Sequence, residues 1–397
     1  MKRIDNKTPV LVLNCKLGGL AIMRSLGSLG IPVYGSDEEV KAPGLLSRYC
    51  RGKFVKQYVE SRPMDYLEFL HGLGKKLGKG TILIPTSDEL SIFVADQSEA
   101  LGEYLLFPKN TSDLVRNLAS KEGMYHLARE YKVPSPFTEF PKSLEDVLAY
   151  SENARLPIML KGIHGNRLQE RTRKKMVLVR TKEELIENYK ILEDPDHPNL
   201  MLQEYIPGGD DKIFIFNGYF DRRSECLCGF TGHKIRQFPV HVGCASLGVC
   251  RWNEAVATQT TAFMKLLGYQ GILDIGYRWD ERDHLYKVLD INPRIGQAFR
   301  LFVSRNGMDV ARSLYLDLTG QEQVQPIIPR EGRRWVIEDL DLISSYHYYK
   351  EGNLTIKEWI KSFRNLEEGA WFQWNDPVPF FKMTGDLGNR LYKWLLK

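Results

Sequence analysis

Residues 285–294 read LYKVLDINPR and contain the most specific pattern in the sequence. They predict a β-strand that ends in an Asn-Pro turn, and the preceding stretch GILDIGYRWD predicts its hairpin partner, which carries Asp274. Carboxylate and amide oxygens suit Mg²⁺ that bridges nucleotide phosphates, so Asp274, Asp290 and Asn292 are candidate metal ligands. Arg294 follows with a planar cation that matches a carboxylate or a phosphoryl group. A plain strand-ending turn is the alternative interpretation.

Two lysines upstream of this stretch are candidates for phosphate binding. Lys121 lies at the start of a predicted helix, and Lys161 ends the strand pattern LPIMLK. Each can place an ammonium group on a phosphate, although a lysine in either place is also typical of a solvated surface. Residues 203–211, QEYIPGGDD, lead from a strand into a turn. Such a segment either offers backbone groups to adenine and a carboxylate to ribose, or is simply a turn rich in Gly and Asp.

The amino-terminal residues predict an open parallel sheet. Residues 10–37 read as strand, turn, helix and strand, which is one βαβ unit. A further strand, residues 81–85, is followed by four polar residues at the edge where such sheets bind ligands. These candidates for a carboxylate or amine pocket are Thr86, Ser87, Asp88 and Glu89. The glycines after the first strand lack the G-x-G-x-x-G spacing, which disfavours a nicotinamide dehydrogenase.

Taken in chain order, these motifs resemble the ATP-grasp superfamily, and within it the branch of carboxylate–amine ligases that includes D-aspartate ligase-like proteins. The matching pieces are SKEGMYHLA, LPIMLKG, QEYIPGGDD, GILDIGY and DINPR, spread over roughly residues 10–320. The resemblance implies a chain of mixed α/β and α+β class with the ATP-grasp fold. The expected domains are a Rossmann-like amino-terminal domain (1–115), a small lid subdomain (116–195), a carboxy-terminal ATP-grasp subdomain (196–325) and an aromatic-rich helical extension (326–397).

The resemblance also implies a role for each matching residue. The residues that would contact the nucleotide are Lys121, Lys161, Glu204, Tyr205, Ile206 and Asp211, with Asp210 as the alternative to Asp211 near the ribose. The magnesium ligands would be Asp274, Asp290 and Asn292. Arg294 and Lys161 would stabilise the reacting groups.

Two basic segments leave alternatives open. Many ATP-grasp enzymes cover the phosphates with a loop rich in Gly and Ser, whereas residues 162–175 are rich in Arg and Lys. These side chains either bind phosphate themselves or form a solvated hairpin tip. Period-two alternation places Lys234 and Arg236 on one strand face, where they can bind the acceptor carboxylate or the γ-phosphate. Arg236 is therefore a candidate catalytic residue, and a basic edge strand in solvent is the other interpretation.

Composition and charge exclude several classes of protein. Lys and Arg number 55 and Asp and Glu number 50, and this net charge of +5 is too mild for a nucleic-acid-binding surface. No apolar stretch approaches the roughly 20 residues that cross a bilayer, and no signal-peptide pattern follows the charged start, so we expect a cytoplasmic protein. Residues 326–397 hold five of the seven tryptophans. We expect this extension to pack on the grasp subdomain, with peripheral membrane contact as the alternative.

Together these features predict a ligase that joins a carboxylate to an amine, or a thiol, and requires ATP and Mg²⁺, with Mn²⁺ as an alternative ion. The γ-phosphate would pass to the carboxylate, and the amine would then displace it, releasing ADP and phosphate. The expected partners are small-molecule acids and amines. The oligomeric state stays open, and a homodimer is one of the alternatives. Two alternatives remain: a nucleotide-binding protein without turnover that serves as a sensor or assembly partner, and a Rossmann-type oxidoreductase.

Overall fold

The computed structural model describes residues 4–163, 165–174, 176–194, 196–323 and 325–395. Two residues of the basic segment predicted after Lys161, His164 and Lys175, lie outside the described residues. The chain divides into two compact units. The large unit comprises residues 1–119, 209–276 and 291–397, and the small unit comprises residues 120–208 and 277–290.

Strands and helices alternate through much of the chain. The strands are β1 (Val10–Leu13), β2 (Val33–Asp37), β3 (Cys50–Val55), β4 (Thr81–Pro85), β5 (Leu105–Leu106), β6 (Thr138–Glu139), β7 (Ile158–Gly162), β8 (Met176–Val179), β9 (Leu200–Glu204), β10 (Ile213–Phe220), β11 (Cys226–Phe238), β12 (Cys244–Cys250), β13 (Gly271–Asp280), β14 (Leu285–Asn292), β15 (Arg334–Val336) and β16 (Leu366–Gly369). The helices are α1 (Leu17–Gly27), α2 (Pro43–Leu46), α3 (Pro63–Leu77), α4 (Asp88–Asp96), α5 (Ser98–Leu101), α6 (Ser112–Ala119), α7 (Lys121–Glu130), α8 (Leu144–Asn153), α9 (Gly165–Thr172), α10 (Lys182–Leu192), α11 (Glu254–Leu267), α12 (Val310–Leu318), α13 (Glu338–Lys350), α14 (Ile356–Lys361) and α15 (Val378–Leu395). Within the described residues, no helix combines the length and the apolar character needed to cross a membrane.

The amino-terminal part of the large unit contains a parallel sheet with the strand order β3-β2-β1-β4-β5. β1 is the apolar run VLVL, and it is buried throughout, as expected of a central strand that is covered on both faces. β1 pairs in parallel with both β2 and β4, which confirms the βαβ unit predicted for residues 10–37. The strand order reverses between β1 and β4, so the carboxyl ends of these two strands border the crevice where such sheets bind ligands.

Side-chain contacts hold together the turns that follow β1 and β4. Thr86 Oγ1 donates a hydrogen bond of 2.6 Å to the carbonyl oxygen of Asn14. Asn14 has a positive φ of 65°, which is uncommon for a residue with a Cβ. Ser87 caps α4 by accepting a hydrogen bond from the Leu90 N–H. Asp88 is therefore fixed as the first helical residue at the carboxyl edge of the sheet.

The second sheet has the order β14-β13-β10-β11-β12-β15-β16, and residues 277–290 of its terminal hairpin belong to the small unit. The extension after residue 325, which the sequence predicts to be helical, contributes two strands to this sheet. β15 pairs antiparallel with β12 and parallel with β16, and its Trp335 is only 1% exposed. Strands of three and four residues carry little sequence signal, because they form only where a neighbouring strand supplies hydrogen-bonding partners.

Buried hydrogen bonds join the first helix to the end of the extension. Arg24 in α1 donates from Nε to Asp376 Oδ2 at 2.9 Å, and from its two terminal nitrogens to the carbonyl oxygens of Ala370 and Trp371 at 2.9 and 2.7 Å. The Arg24 and Asp376 side chains are 4% and 1% exposed. A buried cation of this kind needs all of its partners, so Asp376 and the carbonyl oxygens of Ala370 and Trp371 are part of the structural framework of the large unit.

The small unit is built on an antiparallel sheet with the order β6-β9-β7-β8. Alternate residues such as Ile158, Leu160 and Leu202 are buried in one cluster with residues of α8 and α10. β7 and β8 form the hairpin predicted here, but the connection predicted as a basic loop contains the helix α9. Leu168 anchors this helix in the same cluster. One apolar residue among charged ones is too weak a periodic signal to predict a helix.

Candidate functional site

Lys161 is the second-to-last residue of β7 in the small unit and is partly buried. Its Nζ donates a hydrogen bond of 2.7 Å to Gln203 Oε1 on β9. The Gln203 amide is oriented by its own donor group, which bonds to Tyr125 Oη at 2.7 Å and to Thr138 Oγ1 at 3.0 Å. Burial, followed by the like charge of Lys121, lowers the pKa of Lys161 to about 8. The protein therefore holds a lysine in a place that disfavours its charged form.

Lys121 is the first residue of α7, a helix that Ser120 caps. Its Nζ donates to the carbonyl oxygen of Gly162 at 3.2 Å. Burial lowers the pKa of Lys121 as well, and the charge of Asp290 opposes this shift at both lysines. Two ammonium groups that repel each other in partly buried places are stabilised by an added anion. The small unit thus brings together both predicted phosphate-binding lysines and one predicted magnesium ligand.

The predicted adenine contacts begin at the last residue of β9, Glu204. The Glu204 carboxylate is buried and forms an ion pair of 3.0 Å with Arg282. Arg282 also binds the buried Asp280 at 2.6 Å, and this pairing holds the pKa of Asp280 well below its usual range. Tyr205 is partly exposed and Ile206 is buried. Glu204 therefore belongs to a charge network in the small unit, and the adenine roles of Glu204, Tyr205 and Ile206 stay predictions.

The two aspartates proposed for the ribose lie in different surroundings in the large unit. Asp210 accepts hydrogen bonds from Tyr348 Oη and from Gln237 Nε2, the latter at 2.9 Å. The Asp211 side chain is 71% exposed and lies 3.7 Å from Lys212 Nζ. Asp210 is thus engaged by α13 and β11, and the ribose role of Asp211, with Asp210 as its alternative, stays a prediction.

Arg294 lies in the large unit and makes its strongest contact with Asp88. Its Nε binds Asp88 Oδ1 at 2.7 Å, and its Nη2 lies 3.3 Å from Asp88 Oδ2. The same Nη2 donates to Asn292 Oδ1 at 2.9 Å, while Asn292 Nδ2 lies 3.4 Å from the carbonyl oxygen of Asp274. The large unit thus brings three of the predicted residues together with Asp88, a carboxylate from the segment predicted as a substrate pocket.

Gly296 makes room for the Asp274 carboxylate. A Cβ placed on Gly296 would lie 1.8 Å from Asp274 Oδ2, which no side chain tolerates. Among the described residues, no group of three or more His, Cys, Asp or Glu side chains is arranged to hold a metal. The predicted ligands are two carboxylates and an amide, and Mg²⁺ at nucleotides needs only one or two carboxylates beside water and phosphate. The donor types therefore fit Mg²⁺, while the ligand assignment stays a prediction because Asp290 belongs to the small unit.

Part of this chain is similar in sequence to a curated relative. A D-aspartate ligase from Enterococcus faecium (strain Aus0004) is 26% identical over 243 residues, which are 59% of this chain and 58% of the relative. The matched region thus spans little more than half of that ligase. No protein-family model matches the chain.

Solved structures match over a larger share of the chain. The biotin carboxylase domain dimer of Hydrogenobacter thermophilus 2-oxoglutarate carboxylase, in complex with MgADP, ADP and bicarbonate, has a TM-score of 0.63 at 16% identity and covers 83% of this chain and 74% of its own. An ADP complex of N5-carboxyaminoimidazole ribonucleotide synthetase has a TM-score of 0.60 at 13% identity, covering 83% and 82%. The L-amino acid ligase of Bacillus licheniformis has a TM-score of 0.58 at 15% identity, covering 83% and 76%. This chain has the ATP-grasp fold.

The ATP-grasp fold confirms the fold class expected from DINPR and the motifs upstream of it. Arg236, however, is 3% exposed and forms an ion pair of 2.7 Å with Asp341, which is 2% exposed. Its Nη1 also donates to Ser362 Oγ at 2.8 Å. These contacts within the large unit favour a structural role for Arg236, and its catalytic role stays a prediction. Asp341 and Ser362 belong to the carboxy-terminal extension, outside the motifs that carry the resemblance.

Proposed function

We propose that this chain is an ATP- and Mg²⁺-dependent ligase that joins a carboxylate to an amine and releases ADP and phosphate. The observation that carries the proposal is the lysine pair of the small unit. Lys121 and Lys161 place two ammonium groups near Asp290, and burial disfavours the charged form of both. The ATP-grasp fold and the 26% identity to a D-aspartate ligase support the same class of reaction.

In the proposed reaction, Lys121 and Lys161 bind the phosphates of ATP, and Asp211 binds a ribose hydroxyl. Glu204, Tyr205 and Ile206 line the adenine site at the end of β9. Mg²⁺, held by Asp274, Asp290 and Asn292, would neutralise phosphate charge when bound. Arg294 holds the substrate carboxylate through its planar fork and offsets negative charge on the transferring group.

The proposed reaction has two steps, phosphorylation of the carboxylate and attack by the amine, and neither step needs a side-chain nucleophile. A carboxylate oxygen attacks the γ-phosphorus, and the bond to the β-phosphate oxygen breaks, so ADP leaves with that electron pair. The amine nitrogen then attacks the acyl carbon, the bond to the phosphate oxygen breaks, and inorganic phosphate leaves. The amine loses a proton to solvent or base in this second step. Activation thus replaces a poor leaving group with phosphate.

The helix α9 favours a second candidate function. Residues 165–172 form a helix with Arg167 and Arg171, where many ATP-grasp enzymes have a loop rich in Gly and Ser. Arg167 Nη2 binds Asp194 Oδ2 at 3.0 Å and the carbonyl oxygen of His197 at 2.8 Å, so this arginine has partners within the small unit. A protein that binds nucleotide without turnover, as a sensor or assembly partner, is therefore the second candidate.

Nucleotide turnover distinguishes the two candidates. The protein is incubated with MgATP and pairs drawn from a library of carboxylic acids, amino acids and amines, and ADP, AMP and product mass are measured. We expect sustained turnover to ADP, with release of phosphate, only when both an acid and an amine are present, and none from an Asp290→Asn control. AMP and pyrophosphate would exclude the acyl phosphate. Nucleotide binding without turnover by any pair would favour the second candidate.

Partners beyond the substrates are part of the same proposal. A solved neighbour of this fold is described as a domain dimer, and a homodimer of this chain is testable by light scattering after size exclusion. Trp374 and Phe381 of the extension are 88% and 65% exposed, and they support peripheral contact with a membrane surface. Sedimentation with anionic vesicles tests that contact, and fractionation of cells tests the expected cytoplasmic location.

A further inference from the structure

The turn that carries the two candidate ribose residues is attached to the carboxy-terminal extension. Residues Asp210–Lys212 form a single 3₁₀ turn directly before β10. Asp210 Oδ2 accepts a hydrogen bond from the hydroxyl of Tyr348, a residue of α13 that is 6% exposed. Asp210 Oδ1 accepts another from Gln237 Nε2 on β11 at 2.9 Å. Because both oxygens of this carboxylate are engaged, and its side chain is only 14% exposed, its orientation is fixed relative to α13 and β11.

A second connection between α13 and Asp210 runs through His241. This histidine lies in the turn between β11 and β12 and has a positive φ of 65°. Its Nδ1 lies 3.4 Å from Asp210 Oδ2, and its Nε2 lies 2.8 Å from Oε2 of Glu351, which follows α13 directly. The backbone N–H of His241 donates to Tyr348 Oη at 3.4 Å. The extension therefore reaches Asp210 both directly, through Tyr348, and indirectly, through the pair of Glu351 and His241.

The orientation of Asp211 depends on the same turn. The His233 ring on β11 forms a hydrogen bond with the backbone of Asp211. The Asp211 carboxylate lies close to Gly209, where a Cβ would be 2.7 Å from Asp211 Oδ1, and its side chain is 71% exposed. Successive residues of a 3₁₀ helix are rotated by about 120°, so Asp211 points away from the groups that bind Asp210. A turn of three residues has too few internal hydrogen bonds to fix its own orientation, so the contacts of Asp210 also determine where Asp211 points.

We propose that Tyr348 is a positioning residue for nucleotide binding, which holds Asp210 and thereby orients the Asp211 carboxylate toward the ribose hydroxyls. This inference rests on the proposed function, in which Asp211 binds the ribose of ATP. The extension, residues 326–397, lies outside the motifs that carry the ATP-grasp resemblance. It thereby contributes to the nucleotide site without contacting the nucleotide, because Tyr348 acts only through the turn that contains Asp210 and Asp211.

The test measures the contribution of the ribose hydroxyls to binding. Calorimetry on the full chain compares MgADP with the magnesium complex of 2′,3′-dideoxy-ADP, which has the same base and phosphates but lacks both hydroxyls. The wild-type protein should bind MgADP roughly tenfold to a hundredfold more tightly than the dideoxy analogue, as expected of one hydrogen bond to a carboxylate. Tyr348→Phe removes only the hydroxyl and should lower this preference by about threefold or more, with an unchanged affinity for the dideoxy analogue. A purely structural role would instead lower both affinities together or change neither.

The next residue of α13 provides a matched control. The Tyr349 side chain is 53% exposed, and Tyr349→Phe should keep the full preference for MgADP. Asp211→Asn should remove the preference, and adding Tyr348→Phe to it should have no further effect, because Tyr348 acts through Asp211. The inference is overturned if the wild-type protein binds both nucleotides equally, if Tyr348→Phe keeps the preference or weakens both nucleotides alike, or if Asp211→Asn retains it. Absence of turnover with every acid and amine would instead contradict the proposed function and leave the ribose preference intact.

Discussion

Raising the pH from 7 to 9 should weaken nucleotide binding by roughly tenfold, because Lys161 loses its proton over this range. Its pKa in the unliganded protein is about 8, so about nine-tenths of the side chain is charged at pH 7 and about one-tenth at pH 9. Bound phosphates favour the charged form, so the pKa is higher in the complex. The affinity is therefore nearly fully present at pH 7 and is lost as the pH rises through about 8.

Calorimetry with MgADP at pH 7, 8 and 9 measures this dependence directly. At pH 9, binding should take up about 0.9 proton, which is read from buffers with different ionisation enthalpies. The Lys161→Arg variant stays charged throughout, so its affinity for MgADP should not fall between pH 7 and 9. The Lys161→Met variant should bind MgADP more weakly at pH 7, and its affinity should not depend on pH over this range. An affinity of the wild-type protein that is constant from pH 7 to 9 would refute the reasoning. If the affinity of both variants still falls with pH, the pH dependence belongs to another group, and Lys121 is the first candidate.

Three substitutions test other parts of the site. Arg236→Ala should lower the free energy of unfolding by about 3–5 kcal/mol in denaturant titrations, because it leaves a buried carboxylate without its partner; a variant of normal stability that forms no ADP would support a catalytic role instead. Gly296→Ala should displace Asp274 and raise the Mg²⁺ concentration needed for half-maximal ADP formation, and an unchanged Mg²⁺ titration would speak against this. Asp290→Asn and Asn292→Ala should abolish ADP formation in folded protein, whereas near-normal rates at saturating Mg²⁺ would remove both from the metal site.

Local sequence patterns were sufficient for the elements that are buried on both faces or bounded by clear turns. β4 coincides with the TILIP run, and α7 begins at Lys121, where the sequence predicts the start of a helix. The DINPR string, with its upstream lysines, identified the fold because those residues keep a chain order that the fold requires. β15 and β16 could not be predicted in the same way. β15 is stabilised by pairing with β12, which lies about ninety residues earlier in the sequence, and β16 by pairing with β15, so neither strand has a local signal of its own.

The contacts inside the site depend on separations that no local pattern shows. Arg294 and Asp88 lie 206 residues apart in the chain. In the sequence each is an ordinary charged residue beside a turn, so their ion pair could not be predicted. Gly296 follows the DINPR string closely, but only the structure shows that the Asp274 carboxylate occupies the space of its missing side chain. The buried partner of Arg236 could not be inferred either, because Asp341 belongs to an extension that the resemblance does not cover.

The hydrogen bonds of Arg24 have a consequence for how the protein is made. Asp376, its buried partner, is added 352 residues after Arg24. Ribosomes add about 5–20 residues per second. The Asp376 carboxylate, which neutralises the Arg24 guanidinium, is therefore synthesised roughly 20–70 s after α1. During that time the emerging chain exposes an unfinished large unit, whereas the small unit, whose last residue is 290, can complete its sheet earlier. We therefore expect chaperones that bind nascent chains to have their longest access to the surface of α1 around Arg24.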